Sequence, residues 1–311
     1  MKPPVVVLGA TGQIGLFSIF NLLEQGRQVI AVTRLSAADN NSAIEGMQRI
    51  AYSQLKDVLI RQEDTMGGKP ALLSCGPVKL AQDVVQLRQP AIVGHWERVI
   101  VIGTTSAVTK RESGDRKERE LIAEIEAATT LICEVCHAGK IPLTILNPTL
   151  IYGCGMDQNL SRVYSWIKRF GFVPLASKSQ GLRQPLHVQD LAKTITNAIE
   201  TDPAVDIDSP VCGNGTVRYD HMIEGLFAAA GRKERLLRLP RALVPPVIGL
   251  SGLIPGLRGL NSEMFMRQAV DMIFDDTSAR ELLNHHPRKY NPKMHDFLLP
   301  ESIQQIQQAL V

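Results

Sequence analysis

A chain of 311 residues, 44% hydrophobic and 21% charged, is long enough to bury a sizeable core in one large domain or two. Its net charge of +3 implies no nucleic-acid surface, and its five cysteines, at positions 75, 133, 136, 154 and 212, make no disulfide framework. No signal peptide precedes the first apolar run, so the expected compartment is cytoplasmic.

Val5–Leu8 reads as a strand buried on both faces, because its apolar residues do not alternate with polar ones. It runs directly into Gly9, Gly12 and Gly15, with Thr11, Gln13 and Ile14 between them, and then into a helical pattern from Leu16 to Leu23. A strand–glycine–helix junction of this kind presents backbone amides to a phosphate. Gly9 permits the tight turn, Gly12 lets the chain approach a pyrophosphate, and Gly15 lets the helix pack closely on the strand. Gln28–Thr33 is the second expected strand. An acid at its end would meet a free ribose 2′-hydroxyl, whereas an arginine would meet a 2′-phosphate. The chain has Thr33 and Arg34 there, with its first acid at Asp39, which favours NADP over NAD. In the alternative, Arg34 is a solvated loop charge and Asp39 folds back towards NAD.

A helix near Ala43–Gln54 and a weak strand near Val58–Arg61 follow, then strands at Pro70–Cys75 and Arg98–Gly103 with a helix at Leu80–Arg88 between them. Glu118–His137 is a long helical pattern, and Pro142–Leu146 is another buried strand. This alternation predicts an α/β protein with a doubly wound parallel, Rossmann-like sheet. Cys133-Glu-Val-Cys136-His137 has the spacing of a haem attachment site, but packing thiols at a helix end are the better reading, and no metal site is expected. Helices are expected at Leu160–Phe170, Val188–Glu200, Tyr219–Ala230 and Ser278–Asn284, with a short strand at Val211–Cys212. Residues 1–153 would form the dinucleotide-binding core and 154–311 mainly a smaller C-terminal substrate lobe, with 184–212 returning to the core. Residues 242–257 are uncharged and contain Pro245, Pro246 and Pro255, too short and too broken for a firm membrane span. They read as a buried cap segment, with an apolar lid or a membrane-surface contact as alternatives.

These residues together resemble the extended short-chain dehydrogenase/reductase family, in its NAD-dependent epimerase/dehydratase-like branch. Gly9–Gly15 is similar to the cofactor loop of that branch, and Thr104-Thr105-Ser106-Ala107-Val108 to the segment that delivers a catalytic Ser or Thr. Asn147-Pro148-Thr149-Leu150-Ile151-Tyr152-Gly153 resembles its RPxxxYG stretch, with Asn in place of Arg. Leu186-His187-Val188-Gln189-Asp190-Leu191-Ala192 resembles HVxDxA, and the Phe274–Arg288 region resembles the last part of the substrate lobe. The resemblance implies an NAD(P)-dependent oxidoreductase or epimerase/dehydratase-like protein acting on a carbonyl, hydroxyl or nucleotide-linked substrate. It places Ser74, Cys75 and Gly76 along the adenosine side of the cofactor, Pro148 and Leu150 near the nicotinamide, and Arg183 at a substrate phosphate. A homodimer through the long helices is a further expectation.

The family's Tyr-x-x-x-Lys pair is missing. Matching a family glutamate to Glu124 puts Arg116 at the tyrosine position and Glu120 at the lysine position. Arginine is a poor proton donor at neutral pH. Thr105 could then orient a carbonyl oxygen, with Lys110 or His187 as the proton donor. The alternative is a catalytically inactive nucleotide-binding or regulatory protein of the same fold.

Overall fold

The computed structural model describes residues 2–34, 44–61, 68–86, 96–201, 206–243 and 262–311. The first half alternates strand and helix: β1 (Val5–Leu8), α1 (Gln13–Glu24), β2 (Val29–Thr33), β3 (Met47–Ala51), α2 (Leu55–Arg61), β4 (Ala71–Ser74), α3 (Val78–Val85), β5 (Arg98–Ile102), α4 (Ser106–Lys110), α5 (Arg116–Gly139) and β6 (Leu143–Pro148). The second half holds β7 (Ile151–Tyr152), α6 (Leu160–Phe170), β8 (Val173–Ala176), β9 (Leu182–Arg183), β10 (Leu186–His187), α7 (Val188–Glu200), β11 (Ile207–Val211), β12 (Val217–Arg218), α8 (Tyr219–Ala229) and β13 (Leu236–Leu239). It closes with α9 (Ser262–Arg267), α10 (Thr277–Leu283) and α11 (Glu301–Leu310).

Seven strands form one parallel sheet in the order β11-β6-β5-β4-β1-β2-β3, the Rossmann-like core that the sequence predicts. Helices cover both faces, so successive residues of β1 enter different cores. Val5 and Val7 pack with α1 and α7, whereas Val6 and Leu8 pack with α3 and α5. That two-sided burial explains the missing alternation in the sequence. The strand order reverses between β1 and β4, the topological switch point at which ligands of open α/β sheets bind. The expected short strand at Val211–Cys212 is the end of five-residue β11, which pairs with β6 and extends the sheet.

The expected helix near Ala43–Gln54 and strand near Val58–Arg61 are reversed, and Ala43 itself lies outside the described residues. Met47–Ala51 is an edge strand on β2, where Gln48 and Arg49 need only partial burial. Leu55 and Leu59, four residues apart, are buried on one helical face while Ile60 is exposed. An apolar run at Val58-Leu59-Ile60 mimics a strand, and only the outward turn of Ile60 reveals the helix. The second core, built on Leu160, Tyr164, Ile167, Leu175, Met222 and Phe227, lies between α6, β8 and α8. The β8–β13 pair, parallel from Val173↔Leu236, is a feature that the sequence does not signal.

Candidate active site

The three glycines have separate physical reasons. Gly9 has φ +70°, and a Cβ there would lie 2.6 Å from the Gly76 amide nitrogen. A Cβ on Gly15 would lie 2.9 Å from Ala10 Cα and nearer still to the Gly9 carbonyl oxygen. Both are therefore required by the protein's own packing. Gly12 is different: φ −78° and ψ 160° suit any residue, and a Cβ would meet nothing nearer than the Gly9 oxygen at 3.4 Å. Gly12 and Thr11 are exposed, and no side chain caps the first turn of α1, which also lacks an acid. An open, uncapped helix start with an unobstructed backbone suits an anion. These residues fit the pyrophosphate of a dinucleotide.

Beside that turn a cavity of about 600 Å³ is lined by Gln13 and Ile14 from α1, Thr105 and Lys110 from the end of β5 and α4, and Pro148 and Leu150 after β6. Its far wall comes from the second core, through Trp166, Leu175 and Met222. Asn147 fixes the strand ends beneath it. Its side-chain oxygen accepts from the Thr104 amide at 3.1 Å and its nitrogen donates to Asp208 at 2.8 Å. Thr105 donates its hydroxyl proton to the Pro148 carbonyl at 3.0 Å, leaving the oxygen's lone pairs to accept. Ser74 and Cys75 end β4 beside the glycine turn, where the Cys75 amide donates to the Leu8 carbonyl at 2.9 Å. Gly76 lies against Gly9, and burial pushes the Cys75 thiol up to about 12, so it stays neutral.

The long helix α5 presents neither Arg116 nor Glu120 to this cavity. Both are more than half exposed and pair with each other at 3.4 Å. The matching expected from Glu124 is corrected accordingly: the cavity-facing residue is Glu118, two positions on. Arg267 of α9 grips Glu118 through two hydrogen bonds, at 2.8 and 3.0 Å, and Ser113 donates to it at 2.7 Å. Burial pushes the Glu118 carboxyl up, but these hydrogen bonds more than offset it, leaving the group below its ordinary value. Lys110 Nζ lies 3.8 Å from the same carboxylate. Sequence reasoning missed Glu118 because an aligned spacing cannot register a helix whose start is set by its cap. Here the cap is Asp115, which accepts from the Lys117 amide at 2.9 Å.

His187 lies outside the lining of this cavity. It precedes α7 as its N-cap, with Nδ1 accepting from the Gln189 amide at 3.2 Å and Nε2 3.3 Å from Asp296. Its ring packs edge-on against Tyr152. In this placement it caps a helix and does not face the cavity. Arg183 does reach the cavity wall, but its guanidinium donates to the carbonyls of Leu182, Val270 and Arg267 at 2.8, 2.7 and 2.6 Å. It holds the chain after α9 in place from a position on the cavity wall. Arg34 is exposed at the end of β2, and Asp39 lies outside the described residues. Among the described residues no cluster of metal ligands occurs.

No protein-family model and no curated protein matches the sequence. Solved structures do match the fold over nearly its full length. The UDP-glucuronic acid 4-epimerase of Bacillus cereus, in complex with UDP-glucuronic acid and NAD, is 15% identical, with 99% of each chain covered and a TM-score of 0.66. The UDP-glucose 4-epimerase of Thermotoga maritima, with UDP-glucose, is 15% identical over 99% of this chain and 100% of that one, with a TM-score of 0.61. The UDP-glucose 4-epimerase of Thermus thermophilus, in complex with NAD, is 13% identical over 98% of this chain and 99% of that one, with a TM-score of 0.62. The dinucleotide named in these complexes is NAD, which overturns the preference for NADP read from Arg34. A single exposed guanidinium is a weak discriminator in water. The chain therefore has the fold of these UDP-sugar 4-epimerases, in agreement with the epimerase/dehydratase-like branch that its sequence resembles.

Proposed function

We propose that the protein is an NAD-dependent oxidoreductase or epimerase-like enzyme whose substrate is a nucleotide-linked sugar carrying a hydroxyl or carbonyl group. The observation that carries this reading is that Gln13 and Ile14, which follow the uncapped glycine turn, line one cavity that reaches into the second core. The structurally similar 4-epimerases, with their UDP-sugar and NAD complexes, support it.

Thr11, Gly12, Gln13 and Ile14 hold the pyrophosphate on a turn whose shape Gly9 and Gly15 set, Ser74, Cys75 and Gly76 border the adenosine half, and Pro148 and Leu150 flank the nicotinamide. NAD, when bound, supplies the hydride acceptor or donor. Thr105, whose own proton goes to Pro148, accepts a hydrogen bond from a substrate hydroxyl through its free lone pairs. Lys110 donates a proton to the substrate carbonyl oxygen in the reducing direction, and the Glu118 carboxylate, 3.8 Å away, aims its ammonium group. Arg183 acts from behind the wall by fixing residues 267–270.

A panel of UDP-sugars with NAD, followed by sugar analysis and NADH absorbance, tests this reading. Lys110→Met should lower turnover by about 10²- to 10⁴-fold while leaving NAD affinity unchanged. The absence of a tyrosine from α5 favours a second reading, a nucleotide-binding protein without turnover. Saturable NAD binding with no conversion of any panel member would select that second reading.

A further inference from the structure

The whole chain carries +3, yet residues 168–178 and 232–241 together hold eight Lys and Arg side chains and a single acid, Glu234. The fold brings the two segments together. Arg232 donates to the Lys168 carbonyl at 3.0 Å, and β13 then runs parallel to β8. The exposed cations Lys168, Arg169, Lys233 and Arg235 make no ion pair among the described residues. Asp220, a buried acid, is already held by Arg218 and Arg238 at 2.8 and 3.3 Å.

Large apolar side chains are interleaved with these cations. Leu237 is 52% exposed, Leu243 49% and Phe170 38%, with the Arg169 guanidinium 5.2 Å from the centre of the Phe170 ring. In sequence, the chain continues from this face into the uncharged residues 242–257. Among the described residues no helix is long and apolar enough to cross a membrane. Cations mixed with exposed leucine and phenylalanine are the composition of a surface that lies at a lipid headgroup boundary. A nucleic acid would use the cations but leave both leucines without a partner.

We propose that this face docks peripherally on an anionic membrane surface, its cations meeting lipid phosphates while Phe170, Leu237 and Leu243 enter the headgroup boundary. β8 joins this face to the cavity, because Val173, Pro174 and Leu175 line the cavity while β8 pairs with β13. The docked protein thus works one strand away from the bilayer.

Flotation of the full chain with phosphatidylcholine vesicles, with and without about a third of phosphatidylglycerol, tests the proposal. Flotation only with the anionic vesicles, weakened by salt, is expected. The exposed triple variant R169E/K233E/R235E should keep the wild-type melting temperature and bind at least about a hundredfold more weakly, since each cation is worth roughly fivefold. Leu237→Ser should weaken the binding that survives at high salt. No flotation, equal flotation with neutral vesicles, or full flotation of a folded triple variant would overturn the proposal. So would capture of a DNA duplex or an acidic polypeptide in place of anionic vesicles.

Discussion

Replacing Gly12 and Gly15 separately by alanine should give opposite outcomes, although the two glycines stand three residues apart. Gly15→Ala places a methyl carbon 2.9 Å from Ala10 Cα and nearer to the Gly9 oxygen, all of it backbone that cannot swing aside. Such overpacking costs about 1–3 kcal/mol. For a chain of this size that lowers the melting temperature by roughly 2–6 °C. Gly12→Ala meets only the Gly9 oxygen at 3.4 Å and keeps an allowed backbone conformation, so the apoprotein should melt within about 2 °C of wild type. Its methyl group would stand where a pyrophosphate approaches the first turn of α1. Losing one or two charge-assisted hydrogen bonds there costs about 1.5–3 kcal/mol, or roughly 10- to 150-fold in NAD affinity. Calorimetric melting of both apoproteins and fluorescence titration with NAD read the two effects separately. Unchanged NAD affinity in Gly12→Ala, or unchanged melting of Gly15→Ala, would refute the assignment of ligand contact to one glycine and packing to the other.

Arg183→Met removes three hydrogen bonds from a buried guanidinium to backbone carbonyls and should lower stability by about 3 kcal/mol, read as a melting shift of roughly 6 °C. An unchanged melting temperature with weakened substrate binding would instead return Arg183 to a ligand role. Glu118→Gln should cost several degrees near neutral pH. A carboxyl depressed on folding stabilises above its unfolded value and loses that contribution as pH falls, so the gap between wild type and variant should close below about the ordinary 4.5. A gap that stays constant through acid would contradict the Arg267 pairing. Burial pushes the Cys75, Cys136 and Cys212 thiols up to about 12 and Cys154 to about 11, whereas Cys133 is exposed. A disulfide reagent should therefore modify Cys133 first and the half-buried Cys75 after it, with Cys136, Cys154 and Cys212 reacting only after denaturant, as mass spectrometry of the modified peptides can show.

The sheet was legible because its strands are buried on both faces: Val5–Leu8 and Val99–Ile102 are uninterrupted apolar runs ended by glycine. The glycine turn was legible for the same reason, as its backbone demands stand in the residue types. Side-chain direction was not. Glu118 and Arg116 are two residues apart on one helix, and about 200° of rotation decides which meets the cavity. His187 has the chemistry of a proton donor, but capping α7 uses one of its nitrogens, a contact made by a backbone amide that no sequence spacing marks. The Glu118–Arg267 pair joins positions 149 residues apart, and only the folded chain brings them together. Cofactor choice was misread from Arg34, where one exposed side chain was weighed without the partners that would make a phosphate pocket.

Isothermal titration of the purified chain with NAD addresses the central claim, that the turn after β1 is a dinucleotide site opening into the cavity. One site per chain is expected, with a Kd below about 100 µM, abolished or weakened at least about tenfold in Gly12→Ala. No saturable heat at roughly millimolar NAD, from a protein that melts cooperatively, would contradict it.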